Sequence, residues 1–132
     1  MAFSESQPTV SLVAETTFAK TDLYKFVELS SDNRVQVPGS TAIPRLVGTL
    51  LSETYSTSTG ANETVTVGRL QGVGKVFMAG STLAAGDLIT CSTLGYGIAS
   101  STNRVQLGII VDGSSGTTGR IHSVLFTRTP EL

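Results

Sequence analysis

Apolar and polar residues alternate along several short segments of this chain, and this alternation predicts β-strands. The segment 9–15 alternates at its start, 34–37 alternates up to Pro38-Gly39, and 63–67 alternates again. Alternate side chains of a strand lie on the same face, so a period of two is typical of strands with one buried face. Less regular apolar segments predict further strands at 23–29, 46–51, 73–78, 95–99, 105–111 and 121–127.

Helix signals are weak, and the best candidate is a single turn at 81–85. Fourteen glycines are spread through the chain, where they mark hairpins and bulges. Pro44 lies inside an apolar stretch, so the strand that follows it is predicted to begin at a sheet edge or a bulge. Short strands at roughly regular spacing predict an all-β fold, a small β-sandwich or barrel-like domain with little or no helix.

One stretch of sequence occurs twice and predicts two related β units. The segment 21–26, TDLYKF, returns as 86–91, GDLITC. In both places the stretch leads through a turn to an apolar strand, then to a Ser/Thr/Gly loop and a closing strand. The two predicted units cover approximately residues 19–70 and 84–128.

The N-terminal residues 1–8 are polar, end in Pro8 and show no periodicity, so they are predicted to form a flexible arm. The remainder, 9–132, has the length of one domain. Two interpretations of the arm are open: a frayed terminus, or a segment that becomes ordered on a neighbouring subunit. Eight extended residues reach on the order of 25 Å.

Charged residues make up only 14% of the 132 residues, well below the roughly 25% of typical globular domains. Sixteen serines and nineteen threonines supply the polar surface instead. Hydroxyl-rich faces suit strands, and they suit burial against another protein because few charges have to be desolvated. The composition therefore favours a protein that is built into an assembly.

Charge and cysteine content exclude several classes of partner. The net charge is −1 and the nine basic residues are scattered, so no nucleic-acid partner is expected. No apolar run approaches the roughly 18–20 residues of a membrane span, and no secretory leader is expected. Cys91 is the single cysteine, which excludes an internal disulfide and fits synthesis in a reducing cytoplasm.

Residues able to support catalysis or metal binding are few and dispersed. His122 is the only histidine, and a metal site or catalytic triad needs more partners than one histidine and one cysteine on different strands. Asp22 and Asp87 recur at matched positions, which fits a carboxylate pair for acid–base or calcium chemistry, or two turn caps. The turn caps are the favoured interpretation. We expect no enzyme activity, no cofactor and no metal.

Four stretches of the chain form a recognisable pattern: AKTDLY at 19–24, VGTL at 47–50, AGSTLAAGDLIT at 79–90 and LGII at 107–110. The most specific of them reads A-G-x-x-L-A-A-G-D-L at 79–88. The pattern resembles the small capsid decoration, or cement, proteins of tailed bacteriophages, a family first catalogued as a domain of unknown function. The resemblance spans approximately residues 9–127, most of the chain.

The resemblance implies a β-rich protein that is made in the host cytoplasm and becomes part of the virion. It implies a homotrimer on the outer surface of an icosahedral head, at or near three-fold positions between hexamers of the major capsid protein. Such proteins bind after shell expansion and stabilise the shell, with no enzyme activity, cofactor, membrane or nucleic acid involved.

We expect the contacts of such a protein to come from the N-terminal arm and from the loops at 52–62 and 112–119. Extended or loop segments order readily on a partner, and repeated weak contacts gain strength through effective concentration. The candidate contact residues are Phe3, Gln7, Pro8, Val10, Tyr55, Thr57, Asn62, Ser115 and Thr117.

Three other classes fit the sequence less well. A tail or fibre module would share the β body but would form rings or fibres. A ligand-binding module, for instance for carbohydrate, usually offers aromatic platforms, and this chain has no tryptophan and three tyrosines. An enzyme would need a constellation of reactive side chains that the sequence does not supply.

Overall fold

The computed structural model describes residues 7–31, 33–38, 46–55, 60–79, 83–100, 106–112 and 121–127. These residues form ten β-strands and one 3₁₀ turn at Lys20–Asp22, which confirms the predicted all-β fold with little helix. The strands are β1 (Thr9–Ala14), β2 (Phe26–Ser31), β3 (Arg34–Gln36), β4 (Leu46–Leu50), β5 (Thr64–Arg69), β6 (Val73–Phe77), β7 (Leu88–Cys91), β8 (Gly97–Ala99), β9 (Gly108–Ile110) and β10 (Ile121–Phe126).

The first five strands close into a barrel, the first barrel, in the order β1-β5-β4-β2-β3, with β3 returning to β1. β1 is antiparallel to β5 and parallel to β3, which it meets through Ala14 and Val35. Closure gives every strand of this barrel a neighbour on both sides, although β1 and β3 pair through only two residues each. The interior of this barrel is the first core, formed by Ala14, Phe18, Val27, Val35, Leu50, Val65 and Val67.

The last five strands form a second sheet in the order β6-β10-β9-β7-β8. This order repeats that of the first barrel when β6 is matched with β1. A parallel bridge between Met78 and Gly97 joins the two ends of the sheet, as Ala14 and Val35 join β1 to β3. The second core contains Phe26, Leu46, Leu70, Val76, Met78, Leu83, Ile89, Cys91, Leu107, Ile110, Val124 and Phe126.

Each sheet begins before the corresponding predicted repeat, the first barrel at Thr9 and the second sheet at Val73. The repeat boundaries at 19–70 and 84–128 stay a prediction. Residues 81 and 82 of the predicted helical turn, and Pro44, lie outside the described residues. The described part of the chain includes no helix of the length and apolarity that a membrane crossing requires.

The two sheets share a packed junction. Phe26 and Val27 are neighbours on β2 and both are fully buried, because successive side chains of a strand point to opposite faces. Val27 belongs to the first core, whereas Phe26 belongs to the second. The Phe26 N–H also donates to the Gly95 carbonyl at 2.8 Å. One strand of the first barrel is therefore part of both cores.

Two glycines allow close approach between strands at matched places in the two sheets. A Cβ on Gly48 of β4 would lie 1.9 Å from the carbonyl oxygen of Gly68 on β5. A Cβ on Gly108 of β9 would lie 2.6 Å from the carbonyl oxygen of Leu125 on β10. Since a carbonyl oxygen in a paired strand cannot move aside freely, these positions accept only glycine.

Candidate interaction surface

Asp22 and Asp87 cap two turns, which is the interpretation that the sequence favours. Asp22 Oδ2 accepts the backbone N–H of Ala19 at 2.8 Å, and Asp87 Oδ2 accepts that of Ala84 at 2.8 Å. Asp22 Oδ1 also forms an ion pair with Lys25 Nζ at 2.9 Å. Among the described residues, no three His, Cys, Asp or Glu side chains are grouped to hold a metal ion. The recurrence of the two carboxylates therefore has a structural explanation.

We predict that Asp22→Ala and Asp87→Ala each lower the free energy of unfolding by about 1 kcal/mol, because each leaves a turn N–H without its acceptor. Asp22→Asn and Asp87→Asn should lower it by less, since an amide oxygen can accept the same bond. Urea unfolding followed by circular dichroism measures both pairs. Equal losses for the alanine and asparagine variants would contradict the capping role.

The only histidine is buried in β10 and is hydrogen-bonded to an aspartate that the sequence pattern does not single out. The His122 side chain is 1% exposed, and its Nδ1 lies 2.5 Å from Asp112 Oδ1. Asp112 Oδ2 accepts the Ser123 N–H at 3.0 Å. Within the part of the chain that the structure describes, His122 Nε2 has no hydrogen-bond partner. Asp112 therefore connects the segment that follows β9 to β10 through two hydrogen bonds.

We predict that His122→Ala lowers the free energy of unfolding by roughly 2–3 kcal/mol, through the lost packing and the lost bond to Asp112. Asp112→Asn should lower it by about 1 kcal/mol, because its side-chain oxygen can still accept the Ser123 N–H. Chemical denaturation tests both variants, with Glu53→Ala at an exposed position as the control. The structural role would be contradicted if His122→Ala lowered the free energy of unfolding by less than Asp112→Asn does.

Cys91 is a small buried side chain of the second core, 3% exposed. Its Sγ lies 3.0 Å from the Ser92 carbonyl oxygen, to which the thiol donates. Burial among aliphatic side chains is the common environment of an unreactive cysteine. Cys91 therefore contributes packing to the second sheet.

The predicted N-terminal arm is attached to the body of the protein from Gln7 onward. Gln7 Nε2 donates to Thr49 Oγ1 at 3.2 Å and to the Arg69 carbonyl at 2.8 Å. The side chain occupies space beside two glycines, since a Cβ on Gly68 or Gly74 would lie 2.4 or 2.5 Å from its amide atoms. Gln7 therefore contacts both sheets, and its amide is used within its own chain.

The other predicted contact residues that the structure describes are exposed, but they do not form one site. Tyr55 is 98% exposed, and its N–H donates to Glu63 beside Asn62, at the end of β1 where Ala14 lies. Pro8 and Val10 lie at the opposite end of β1. Four predicted contact residues lie outside the described residues: Phe3, Thr57, Ser115 and Thr117.

A row of four aliphatic side chains crosses the outer face of the second sheet, and we call it the apolar row. Val73 pairs with Leu125, Leu125 pairs with Ile109, and Ile109 pairs with Leu88 across four adjacent strands. Leu88 is 42% exposed and Leu125 is 40% exposed. Contiguous exposed apolar side chains of this kind mark interaction surfaces. Sequence reasoning missed this row because its members come from four different strands.

The first barrel has an apolar cavity at one end, which we call the barrel opening. Its volume is about 360 Å³. Among the described residues that line it, four are aliphatic and the exposed Arg69 is the charged one. The lining residues are Thr9, Val10, Leu12, Leu29, Val47 and Arg69. Of the contact residues that the sequence predicts, Val10 is the one that lines this cavity.

Comparison with solved structures shows a likeness in fold. No family model matches the sequence, and no curated protein matches it. A solved structure with a similar fold is that of the head fiber gp8.5 N base in bacteriophage phi29, with a TM-score of 0.65. The likeness covers 96% of this chain and 99% of that chain at 16% sequence identity. At this identity it shows that the two chains share a fold over nearly their full lengths.

Proposed function

We propose that this protein is a structural component of a tailed-phage particle that binds the outer surface of the icosahedral head and stabilises the expanded shell. The observation that carries the proposal is the shared fold with the base of a phage head fiber, over 96% of this chain. The sequence resemblance to capsid decoration proteins supports the same role. The proposal assigns the chain no catalytic role, cofactor or metal.

The surface chemistry supports a role in an assembly. Only 14% of the residues are charged, so a large part of the surface can be buried without desolvating charge. The apolar row places two large side chains, Leu88 and Leu125, in solvent on one face. Exposed faces of this kind gain stability when a partner covers them.

The proposed assembly is a homotrimer at or near the three-fold positions of the shell, with the major capsid protein as partner. Tyr55 and Asn62 form one exposed end of the first barrel, and residues 1–6 precede the attached Gln7. We assign the shell contacts to these segments and to the loop at 112–119. Three copies of a weak contact in one trimer multiply through effective concentration.

Co-sedimentation with empty heads tests the proposal. Expanded heads and unexpanded heads, both assembled from the major capsid protein of the same virus, are mixed with purified protein and pelleted. We expect saturable binding to expanded heads only, with a higher melting temperature of the decorated shells. Absence of binding to expanded heads would overturn the proposal.

The contacts of the arm are tested in the same assay with deletion of residues 2–6. This deletion keeps Gln7 and Pro8, so the bonds of Gln7 to Thr49 and Arg69 remain. We expect lower occupancy with an unchanged melting temperature of the free protein. Tyr55→Ala is the matched point variant in the first barrel, and unchanged occupancy for both changes would place the shell contacts elsewhere.

A second candidate function is the base of a head fibre, and the likeness to the head fiber gp8.5 N base favours it. The discriminating observation is the shape of decorated heads in negative-stain electron microscopy. Compact knobs on the shell support a decoration protein, whereas fibres that project from the bound protein support a fibre base.

A further inference from the structure

At the junction, a surface of the first barrel packs against a different surface of the second sheet. Each of these two surfaces has a structurally equivalent surface on the other sheet. One surface is the outer side of the first barrel at Phe26, which is fully buried. The other is the end of the second sheet at Val76 and Leu107, which share a core with Phe26. Because the two sheets have the same strand order, their pairings identify both counterparts.

The counterpart of Phe26 is Leu88. Phe26 pairs with the residue after Gly48, and Leu88 pairs with the residue after Gly108, so the two matched glycines align the strands. Phe26 is 0% exposed because the second sheet covers it, whereas Leu88 is 42% exposed. The first barrel therefore has its residue at this position buried against the second sheet. The second sheet has its residue at the same position, Leu88, exposed at one end of the apolar row.

The counterpart of the covered end of the second sheet is the barrel opening. The strand pairings match Val10 with Gly74, Leu12 with Val76, Leu29 with Cys91 and Val47 with Leu107. All four matched residues of the second sheet are buried, and three of them share the second core with Phe26. In the first barrel the same end is a cavity of about 360 Å³ with Val10 37% exposed.

We propose that a second copy of this chain docks its apolar row, led by Leu88, into the barrel opening of the first copy. The contact repeats between copies the one that the two sheets make within each chain. The apolar row and the barrel opening are different surfaces, so every copy offers one of each. The proposed homotrimer already requires contact between copies, and this inference goes further by naming the two surfaces that meet. It holds whether or not the protein binds a shell.

Charge complementarity supports the same occupant. Asp87 is exposed and immediately precedes Leu88. Arg69 is exposed on the lining of the barrel opening, and no acidic side chain of the described residues pairs with it. Docking Leu88 into the opening would bring this aspartate toward an arginine that forms no ion pair with the described residues. A partly desolvated pair of opposite charges fixes the register of such a contact.

The contact between copies lacks one backbone bond of the contact within the chain. In the junction, the Phe77 N–H donates to the Tyr24 carbonyl at 2.9 Å. Val13, the counterpart of Phe77, donates instead to Asn33 within its own barrel at 2.8 Å. Docking between copies therefore lacks at least this backbone bond, and we expect a dissociation constant on the order of 0.1–1 mM.

Association of this kind is head-to-tail. A contact between two different surfaces of the same chain closes into a ring when the rotation permits and otherwise grows into a filament. It also has a property that a symmetric contact lacks. A copy with a damaged row and a copy with a damaged opening can still bind each other once, through the intact surface of each.

Sedimentation velocity up to about 1 mM protein tests the inference, a range that brackets the expected weak affinity. The wild-type mass should rise with concentration above the 13.7 kDa of one chain. Leu88→Glu and Val10→Glu should each remain monomeric. An equimolar mixture of the two variants should recover a species of twice the monomer mass and nothing larger. Tyr55→Glu, at a 98% exposed position, should associate as the wild type does.

If either variant of the first pair misfolds, two further variants disrupt the same surfaces: Leu125→Glu in the apolar row and Arg69→Glu at the barrel opening. Circular dichroism confirms that each variant is folded. A wild-type protein that is monomeric up to about 1 mM overturns the inference, and so does a mixture that remains monomeric. Association of the wild type without rescue in the mixture indicates a symmetric contact, which also overturns it.

Discussion

Replacing Gly48 by alanine is expected to lower the free energy of unfolding by at least about 3 kcal/mol, a large effect for the addition of one methyl group. The new Cβ would lie 1.9 Å from the Gly68 carbonyl oxygen and 2.8 Å from Val67 Cγ1. The oxygen belongs to the backbone of a paired strand, so relief requires separating β4 from β5. Urea unfolding of the variant and the wild type, followed by circular dichroism, gives the difference.

Two alanine variants serve as comparisons for Gly48→Ala. Gly86 has a φ of +92° and nothing within 4 Å of an added Cβ, so Gly86→Ala should cost only the roughly 1–2 kcal/mol of the left-handed conformation. Gly108→Ala should resemble Gly48→Ala, because its Cβ would lie 2.5 Å from Val124 Cγ1 and 2.6 Å from the Leu125 carbonyl oxygen. A Gly48→Ala loss no larger than that of Gly86→Ala would show that β4 and β5 separate easily.

The pattern of apolar and polar residues locates most strands: alternation locates β1, β3 and β5, and less regular apolar segments locate most of the others. β1 and β10 end one residue before the predicted ends at 15 and 127. In β10 buried side chains alternate with exposed or half-buried ones, the environment that produces a period of two, whereas β1 is exposed or half-buried up to its last residue, Ala14. β9 is shorter than predicted, at Gly108–Ile110, because an apolar run does not show how many of its residues find a partner strand.

β2 begins three residues later than the predicted start at 23, and the reason is a competing turn. The backbone N–H groups of Leu23 and Lys25 donate to Lys20 and Asp22. These bonds continue the 3₁₀ turn that Asp22 caps, so these two N–H groups do not bond to the sheet. The Tyr24 N–H still donates to the Leu50 carbonyl of β4, and the Lys25 carbonyl accepts the Leu50 N–H. Local side-chain capping thus overrides the apolar pattern of the segment.

The same turn explains why the matched aspartates do not align the two sheets. Asp22 lies five residues before Val27, whereas Asp87 lies two residues before Ile89. Val27 and Ile89 are the residues that pair with the matched glycines of β4 and β9. The repeated sequence at 21–26 and 86–91 therefore aligns the two turns, whereas Gly48 and Gly108 align the strands. Only the pairing of distant strands shows this difference.

The interactions that the sequence did not predict are long-range. Asp112 and His122 are ten residues apart, and nothing in the local pattern indicates that the only histidine bonds to this aspartate. The sequence pattern predicts Gln7 to be part of a flexible arm, and the structure shows its side chain in the space that Gly68 and Gly74 leave. Glycine within a strand indicates close approach of another group, so these two glycines were the available signal. The apolar row and the barrel opening likewise exist only after the strands are paired.

The second large expected effect concerns the junction. Phe26→Ala should lower the free energy of unfolding by about 3–5 kcal/mol, because it empties a fully buried aromatic site of the second core. The matched variant is Phe18→Ala, which removes an aromatic side chain of similar burial from the first core. Urea unfolding gives both losses, and we expect them to be of similar size.

Hydrogen exchange then locates the effect, and here the two variants should differ. Phe18 contributes to the first core alone, so its loss should accelerate exchange mainly in β1 and β5. Phe26 has its backbone in the first barrel and its side chain in the second core, so its loss should also accelerate exchange in β9 and β10. If Phe26→Ala left exchange in β9 and β10 unchanged, the junction would not couple the two sheets. Support for the contact between copies would then also weaken. The proposed contact assumes that Leu88 packs against another copy as Phe26 packs against the second sheet, and that such packing stabilises both partners.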